Sequence, residues 1–540
     1  MPIRMVDDPQ DPQESNSDSG GGGGRGGFPG GGGGGGGLFN LLPLLLGLFK
    51  GKGIIFLLIL GGAAYFLLGR GGEGCNMGGL SDIAGKLSTG GFLDPRQFER
   101  ASIYEPLADD NTKNPLPDAA DLTPYAPAVG NQGEQGSCVA WSSAYGARTV
   151  LESSRSGVKG EELKFSPAFL YNQIGLDGCQ GSYILRAMEY MTKQGSVPYD
   201  KFPYSAQDCT RQPDQSLIRE AAQFKMRGFN RLSLGDRNDA IDLRAIKENL
   251  SQGAPVVIGM MVGQSFMQGM MGQDVWEPQA GDDRMVGFGG HAMCVVGYDD
   301  KKYGGAFHIM NSWGPEWGVN GFGWVRYNHF KYFVREAYGL EAMPKTGAAA
   351  NQPFTCEVGL VQVRQEGNKM VAGGYAGLRG TGDNVFETAS PMTIGSRFKM
   401  EVRNSSECYI YVFGKETDGT SYTLFPYPKA DDNTKTKYSP FCGVTGFRLF
   451  PHDKSMTPDS IGTRDVMAVV VSKEPLDWYE TNRKIGRNPS SDYGDRVNAA
   501  LGGKLARGLR FQSTGKGTIT FTAPPGQNQV MAAIVEVTKR

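Results

Sequence analysis

The chain has 540 residues, too many for one hydrophobic core, so two or three domains are expected. Its 55 basic and 56 acidic side chains leave a net charge of −1, so no nucleic-acid partner is expected. Eight cysteines are too few for a disulfide-built scaffold at this length. With four histidines in all, imidazole chemistry must draw on His291, His308, His329 or His452.

Residues 1–37 are polar and then almost pure glycine, a composition that cannot offset its chain entropy and reads as a disordered tail. Residues 38–69 read as a hydrophobic membrane anchor. Leu38–Phe49 is a short apolar piece, Lys50 and Lys52 follow, and Gly53–Gly69 is a charge-free apolar run. At about 1.5 Å per residue that run spans roughly 25 Å, the short end of a transmembrane helix. The flanking charges, Lys50 and Lys52 against Arg70 and Lys86, are nearly balanced. The expectation is a single-pass protein with its N-terminus inside and the bulk of the chain extracytoplasmic, where the cysteines other than Cys138 and Cys294 can oxidise.

Residues 70–115 read as a polar linker, and residues 116–345 as a mixed α+β domain. Helical patterns cover Ala140–Leu151, Ile184–Thr192 and Asp239–Ser251; strand-like runs cover Pro255–Met260, His291–Tyr298 and Ala306–Met310. Residues 353–540 read as a mostly β, sandwich-like domain. Its strands fall at Glu357–Val363, Arg397–Val402, Cys408–Phe413, Val466–Val471, Thr518–Thr522 and Val530–Val537, with one helix at Ser491–Ala506. It carries no visible catalytic cluster and reads as a binding or docking module.

Three segments carry chemistry. In Asn131-Gln132-Gly133-Glu134-Gln135-Gly136-Ser137-Cys138, a glycine-rich turn delivers a cysteine to the start of an apolar helix. The free N–H groups and partial positive charge of a helix N-terminus favour thiolate, the nucleophilic form. The Gln132 side-chain amide and the Cys138 backbone N–H supply two donors for an oxyanion. The second segment, Gly289-Gly290-His291-Ala292-Met293-Cys294, opens a buried strand with a histidine. The third, Asn311-Ser312-Trp313-Gly314, ends the next strand with an asparagine able to accept a ring N–H and fix the imidazole, under a tryptophan that shields the bond.

Together these segments resemble the papain family over residues 116–345. His291 follows Cys138 by 153 residues and Asn311 follows His291 by 20, close to that family's spacing. The resemblance implies a two-lobe papain-like fold, Cys138 as nucleophile, His291 as base, Asn311 as orienting residue and Gln132 as oxyanion donor. It also implies backbone pairing of substrate with Gly181 and Ser182, and a side-chain pocket walled by Gly259, Gly289 and Ala292, near Trp313. Those small walls lead to an expected preference for a bulky apolar substrate residue. Phe202-Pro203-Tyr204 is similar to a family motif. Gln135 stands where the family has a disulfide cysteine, and Cys179 either pairs with Cys209 or both stay free. Residues 75–115 lack the helical pattern of a long inhibitory propeptide. The C-terminal region resembles a β-rich domain of undefined role on bacterial peptidases.

The expected function is a cysteine endopeptidase acting on peptide or protein substrates through a thioester acyl-enzyme, with no cofactor and no metal. The alternatives are a cell-wall peptide amidase or transpeptidase using the same site, and an inactive peptide-binding module. Cys294 reads as an inert core thiol and His308 as a packing residue. The Met-rich stretch Met260–Gly290 reads either as a loosely packed loop or as an adaptable cleft wall.

Overall fold

The computed structural model describes residues 3–9, 89–110, 112–234, 241–282, 290–343, 353–367, 369–526 and 530–540. Met1–Pro9 and Lys86–Arg540 fall in one compact unit. The anchor expected at 38–69 and Gly289 lie outside the described residues, as does the expected disordered tail at 1–37 apart from residues 3–9, which depart from that expectation by forming the strand Ile3–Asp7. Among the described residues no helix is long and apolar enough to cross a membrane.

The first lobe is built on a helix that begins at Cys138. It runs through Cys138–Ala140, a wider π-type stretch Trp141–Arg148, and Thr149–Ser156. Ala140, Ala144, Ala147 and Val150 are buried along it. Gly157 ends it at φ +76°, a left-handed turn that a Cβ would strain. Two helices pack against it. Pro167–Ile174 starts with proline at its first turn and with Ser166 Oγ accepting the Phe169 N–H at 3.0 Å. Ile184–Lys193 buries Ile184, Leu185, Ala187, Met188 and Met191 at helical spacing.

The second lobe is an antiparallel sheet in the order Phe229–Arg231, Val334–Leu340, Val256–Met261, Gly290–Asp299, Ala306–Met310, Phe322–Arg326, with Ala119–Asp121 also paired to Gly290–Asp299. The strand Gly290–Asp299 is buried through nearly its whole length because the Cys138 helix covers it. Gly146 makes that approach possible: a Cβ there would stand 3.1 Å from the Cys294 Cβ. One continuous apolar core joins the helices to this sheet. The expected helix from Asp239 begins at Leu243 instead, because the Asp242 carboxylate caps it by accepting the Ala245 N–H at 3.0 Å.

From Phe354 onward two sheets face each other across a second core. One contains Phe354–Glu366, Arg397–Asn404 and Ile519–Ala523; the other contains Cys408–Lys415, Arg464–Ser472 and Val530–Thr538. All six expected strands are present, each differing from the expectation by a residue or more at one end or both. The expected helix is Tyr493–Leu501, and a second helix, Trp478–Arg487, packs with it on the outer face of the second sheet. That second helix buries only Ile485 fully, and Asp477 starts it, its carboxylate accepting the Glu480 N–H at 2.9 Å. The N-terminal strand Ile3–Asp7 completes the first sheet, pairing antiparallel with Lys454–Pro458 and burying Ile3 completely.

Candidate active site

Cys138 lies at the start of its helix and is wholly buried. Gly133, at φ +62°, turns the preceding loop, and its N–H is held by Asn131 Oδ1 at 2.8 Å. The loop is fastened to the Asn311-Ser312 segment: Gln132 N–H donates to Ser312 O at 2.8 Å, and Ser312 Oγ donates to Gln132 Oε1 at 2.7 Å. The second contact fixes the amide so that Nε2 is the atom offered to the cleft. Tyr204 adds a third tie, donating to Gln132 O at 2.8 Å while lying 2.6 Å from Ser137 Oγ.

His291 stands on the adjacent strand. Its Nε2 is 2.7 Å from Asn311 Oδ1. That oxygen also accepts the Ser312 N–H at 2.8 Å, which identifies it as the acceptor and puts the ring proton on Nε2. Nδ1 therefore carries the lone pair. Trp313 stacks on the imidazole at a 4.2 Å centroid separation and a 17° tilt. The backbone N–H of Ala292, next to His291, donates to Cys138 Sγ at 3.4 Å, so thiol and imidazole share one pocket. Burial pushes the Cys138 thiol up to about 12, against the backbone N–H donors around it. Burial likewise pulls His291 down to about 4, against its bond to Asn311. In this state the pair is neutral.

The reason the site is dry lies in a segment read from the sequence as linker. Residues 89–94 run through the cleft. Gln132 Nε2 donates to Thr89 O at 3.2 Å, Ser182 N–H to Gly90 O at 2.9 Å, Phe92 N–H to Ser182 O at 3.0 Å, and Gly91 N–H to Gly290 O at 3.0 Å. The Gly91 backbone is also among the groups that act on the Cys138 thiol. Both glycines are required by close approach: a Cβ at Gly90 would stand 2.3 Å from Gly136 O, and one at Gly91 would stand 3.1 Å from Gly290 O. Leu93 packs where Gly259 and Gly290 have no side chains, 2.5 and 2.4 Å from the positions their Cβ atoms would take.

The residues singled out for substrate are thus occupied by the chain itself. Ser182 pairs with the segment's backbone, Gly181 lies against Gly90 O, Gly259 underlies Leu93, Ala292 contacts the thiol, and Trp313 covers His291. Cys179 and Cys209 form a disulfide, resolving the alternative left open by the sequence. Cys294 is buried among apolar side chains, and its thiol is pushed well above the usual range by burial alone. His308 stacks on Trp324 at 4.3 Å, away from the cleft. Ser312 and Tyr204, which position Gln132, were not singled out as site residues, though both lie in motifs that were.

The Papain family cysteine protease model matches residues 116–344. This region is a papain-family cysteine peptidase domain. Over 232 residues the chain is 28% identical to cathepsin K of Mus musculus, covering 42% of this chain and 64% of that protein. Over 248 residues it is 27% identical to cathepsin L2 of Homo sapiens, covering 43% of this chain and 66% of that protein. It thus spans slightly under two thirds of the length of these relatives. Among solved structures, xylellain, a cysteine protease from Xylella fastidiosa, is 23% identical with a TM-score of 0.39, covering 48% of this chain and 96% of xylellain. The papain-family domain is joined to the β-rich region by residues 101–114: Ile103 N–H bonds Lys437 O at 2.9 Å, and Ala108 N–H bonds Phe447 O at 2.8 Å.

Proposed function

We propose that the chain is a cysteine endopeptidase held in a self-blocked state by residues 89–94. The observation that carries this reading is the convergence of Cys138, His291, Asn311 and the oriented Gln132 amide on one cleft. With the segment displaced, His291 Nδ1 takes the thiol proton while Asn311 Oδ1 holds the Nε2–H and the ring orientation. The thiolate attacks the substrate carbonyl carbon. Gln132 Nε2–H and the Cys138 backbone N–H hold the oxyanion, and the imidazolium returns its proton to the leaving amine. Water activated by His291 then hydrolyses the thioester.

The test is labelling of full-length protein by a thiol-reactive epoxide, with peptide cleavage measured in parallel. Label on Cys138, and cleavage lost in a folded Cys138→Ala chain, supports the reading. Equal cleavage by wild type and Cys138→Ala refutes it.

We further propose that residues 38–69 attach the chain to a membrane with both of their flanks on the same face. A single crossing puts residues 3–9 and the peptidase region on opposite faces. The pairing of Ile3–Asp7 with Lys454–Pro458 argues for the same face, and so against the single-pass expectation with its N-terminus inside. The Cys179–Cys209 bond supports an oxidising, extracytoplasmic compartment for both. Protease digestion of sealed vesicles tests this: a tag at residue 1 and the peptidase region should be cut or protected together.

A further inference from the structure

Lys539 follows the last strand of the β-rich region, and its side chain is withdrawn from solvent. Side chains alternate faces along a strand, so Lys539 shares a face with Val537, and Asp465, opposite Val537 in the register, shares it too. That face meets the second core. Asp459 comes from the other sheet, one residue beyond the strand Lys454–Pro458. The three side chains meet between the sheets. Lys539 Nζ lies 2.8 Å from Asp459 Oδ1 and 2.7 Å from Asp465 Oδ1, and donates to Ile461 O at 2.7 Å. The lysine and Asp459 side chains are 1% exposed and that of Asp465 is 0% exposed.

Two features separate this cluster from an ordinary ion pair. One ammonium faces two carboxylates, so full ionisation leaves a negative charge unbalanced in a dry place. The second oxygen, Oδ2, of each aspartate is also buried with no hydrogen-bond partner among the described residues. Both features are costly to the folded chain. Condensation relieves them, because it consumes one charge of each sign and expels one oxygen as water. We propose that Lys539 and Asp459 join through an amide bond between Nζ and Cγ, with Asp465 carrying the protons.

The two aspartates differ in a way that assigns the roles. Asp459 Oδ1 also accepts the Ile461 N–H at 2.9 Å, a donor placed to hold the oxyanion of a tetrahedral intermediate. Burial works against ionisation of Asp459, but the bonds from Lys539 and Ile461 hold its carboxyl below the usual range. Burial raises the Asp465 carboxyl to about 6, against the Lys539 bond and charge, so Asp465 is the better proton carrier. Protonated Asp465 gives its proton to Asp459 Oδ2 and takes one from the ammonium. The freed Nζ lone pair attacks Asp459 Cγ. Asp465 then protonates the Oδ2 hydroxyl and receives a second proton from Nζ. The Cγ–Oδ2 bond breaks and water leaves. One ammonium and one carboxylate become one amide and one water, Asp465 ends as it began, and no oxidant or cofactor takes part.

The bond ties the last strand of one sheet to a strand of the other and constrains the unfolded chain as a disulfide does. Reduction does not open it. Among the described residues this region has no disulfide: Cys356, Cys408 and Cys442 are free. The proposal uses residues of the β-rich region alone and is independent of the peptidase reading.

The experiment is tandem mass spectrometry on full-length protein purified in detergent, then denatured, reduced and digested with trypsin. The tryptic peptides 455–464 and 517–540 should appear as one branched species, lighter than their sum by one water, with the branch between Asp459 and Lys539. Lys539→Arg keeps the cation but gives it no nucleophilic amine, and Asp465→Asn keeps the volume but carries no proton. Each should abolish the branched species in a chain whose circular dichroism matches wild type. Recovery of the two peptides unjoined from folded wild-type protein overturns the proposal, whatever the variants do. A branch on Asp465 overturns the choice of Asp459, and a branch that persists in Asp465→Asn overturns the role of Asp465.

Discussion

Leu93→Ala should open the cleft. The substitution removes an isopropyl group from a half-buried side chain packed against Gly259 and Gly290. At about 0.8 kcal/mol per fully buried methylene, and with roughly half of that realised here, the blocked state loses about 1–1.5 kcal/mol. That multiplies the open fraction about 5- to 12-fold. The backbone bonds to Ser182, Gly290 and Gln132 are unaffected, so opening is partial. The assay is the initial rate at which an epoxide labels Cys138 in full-length protein, followed by intact mass, with peptide cleavage alongside. Phe92→Ala is the control: Phe92 is 41% exposed and meets the fold mainly through Tyr183 at 5.8 Å, so its loss should matter less. If Leu93→Ala labels no faster than wild type while both remain folded, residues 89–94 do not limit access to the thiol.

In the Leu93→Ala background, Gln132→Ala should lower turnover by roughly 10²-fold or more in a chain that still folds, since it removes one of two oxyanion donors; an unchanged acylation rate would take Gln132 out of the mechanism. Glu105→Gln should stabilise the fold more at pH 8 than at pH 5.5. Burial raises the Glu105 carboxyl from 4.5 to about 8, so the folded state keeps a proton that the unfolded chain releases, and wild-type stability falls between those values as pH rises. A melting difference independent of pH would refute this. Ile3→Asp should cost on the order of 2–3 kcal/mol of local stability by exposing a wholly buried side chain, read as faster hydrogen exchange at Lys454–Pro458.

The proposed nucleophile, base and orienting residue, Cys138, His291 and Asn311, were legible because each sits in a short segment whose local structure also delivers it: a turn into a helix, a strand start, a strand end. The strands from Glu357 onward were legible from alternation, because one face of each meets the second core. The occupancy of the cleft was not. Residues 89–94 have no helical or alternating pattern, and their pairing is with Ser182 and Gly290, far away in sequence. Gly90-Gly91 followed by Phe92-Leu93 in a polar stretch was the signal available. Glu336, whose carboxylate accepts the Asp94 N–H at 3.1 Å and the Tyr338 hydroxyl at 3.3 Å, escaped for a related reason: within Val334–Leu340 it reads as an exposed strand residue, and only the sheet register sets it opposite Gly259.

Closure and titration are one equilibrium at this site, and two groups pull it in opposite directions. His291 binds a proton at about 4 in the closed state and near its ordinary 6.5 once water returns, so acid favours opening between those values. The groups around it, Asn311, Trp313 and the Cys138 thiol, carry no charge that would reverse the sign. Glu336 holds a proton up to about 7 when closed and, with water admitted beside Asp94 and Tyr338, moves back towards its ordinary 4.5, so acid favours closure over nearly the same range. Each shift is worth at most about 3.4 kcal/mol, and the two oppose each other. The wild-type cleft should therefore respond little to pH between 4 and 7. Glu336→Gln removes one side of the balance and should expose opening by acid, up to roughly 10²-fold at pH 4.5. Epoxide labelling of Cys138 at each pH, divided by the rate in the matching chain that lacks residues 89–94, isolates the opening step from the titration of the thiol itself. If that quotient climbs as pH falls in the wild-type chain as steeply as in Glu336→Gln, Glu336 does not oppose His291 and the pocket beside Leu93 does not sense its charge.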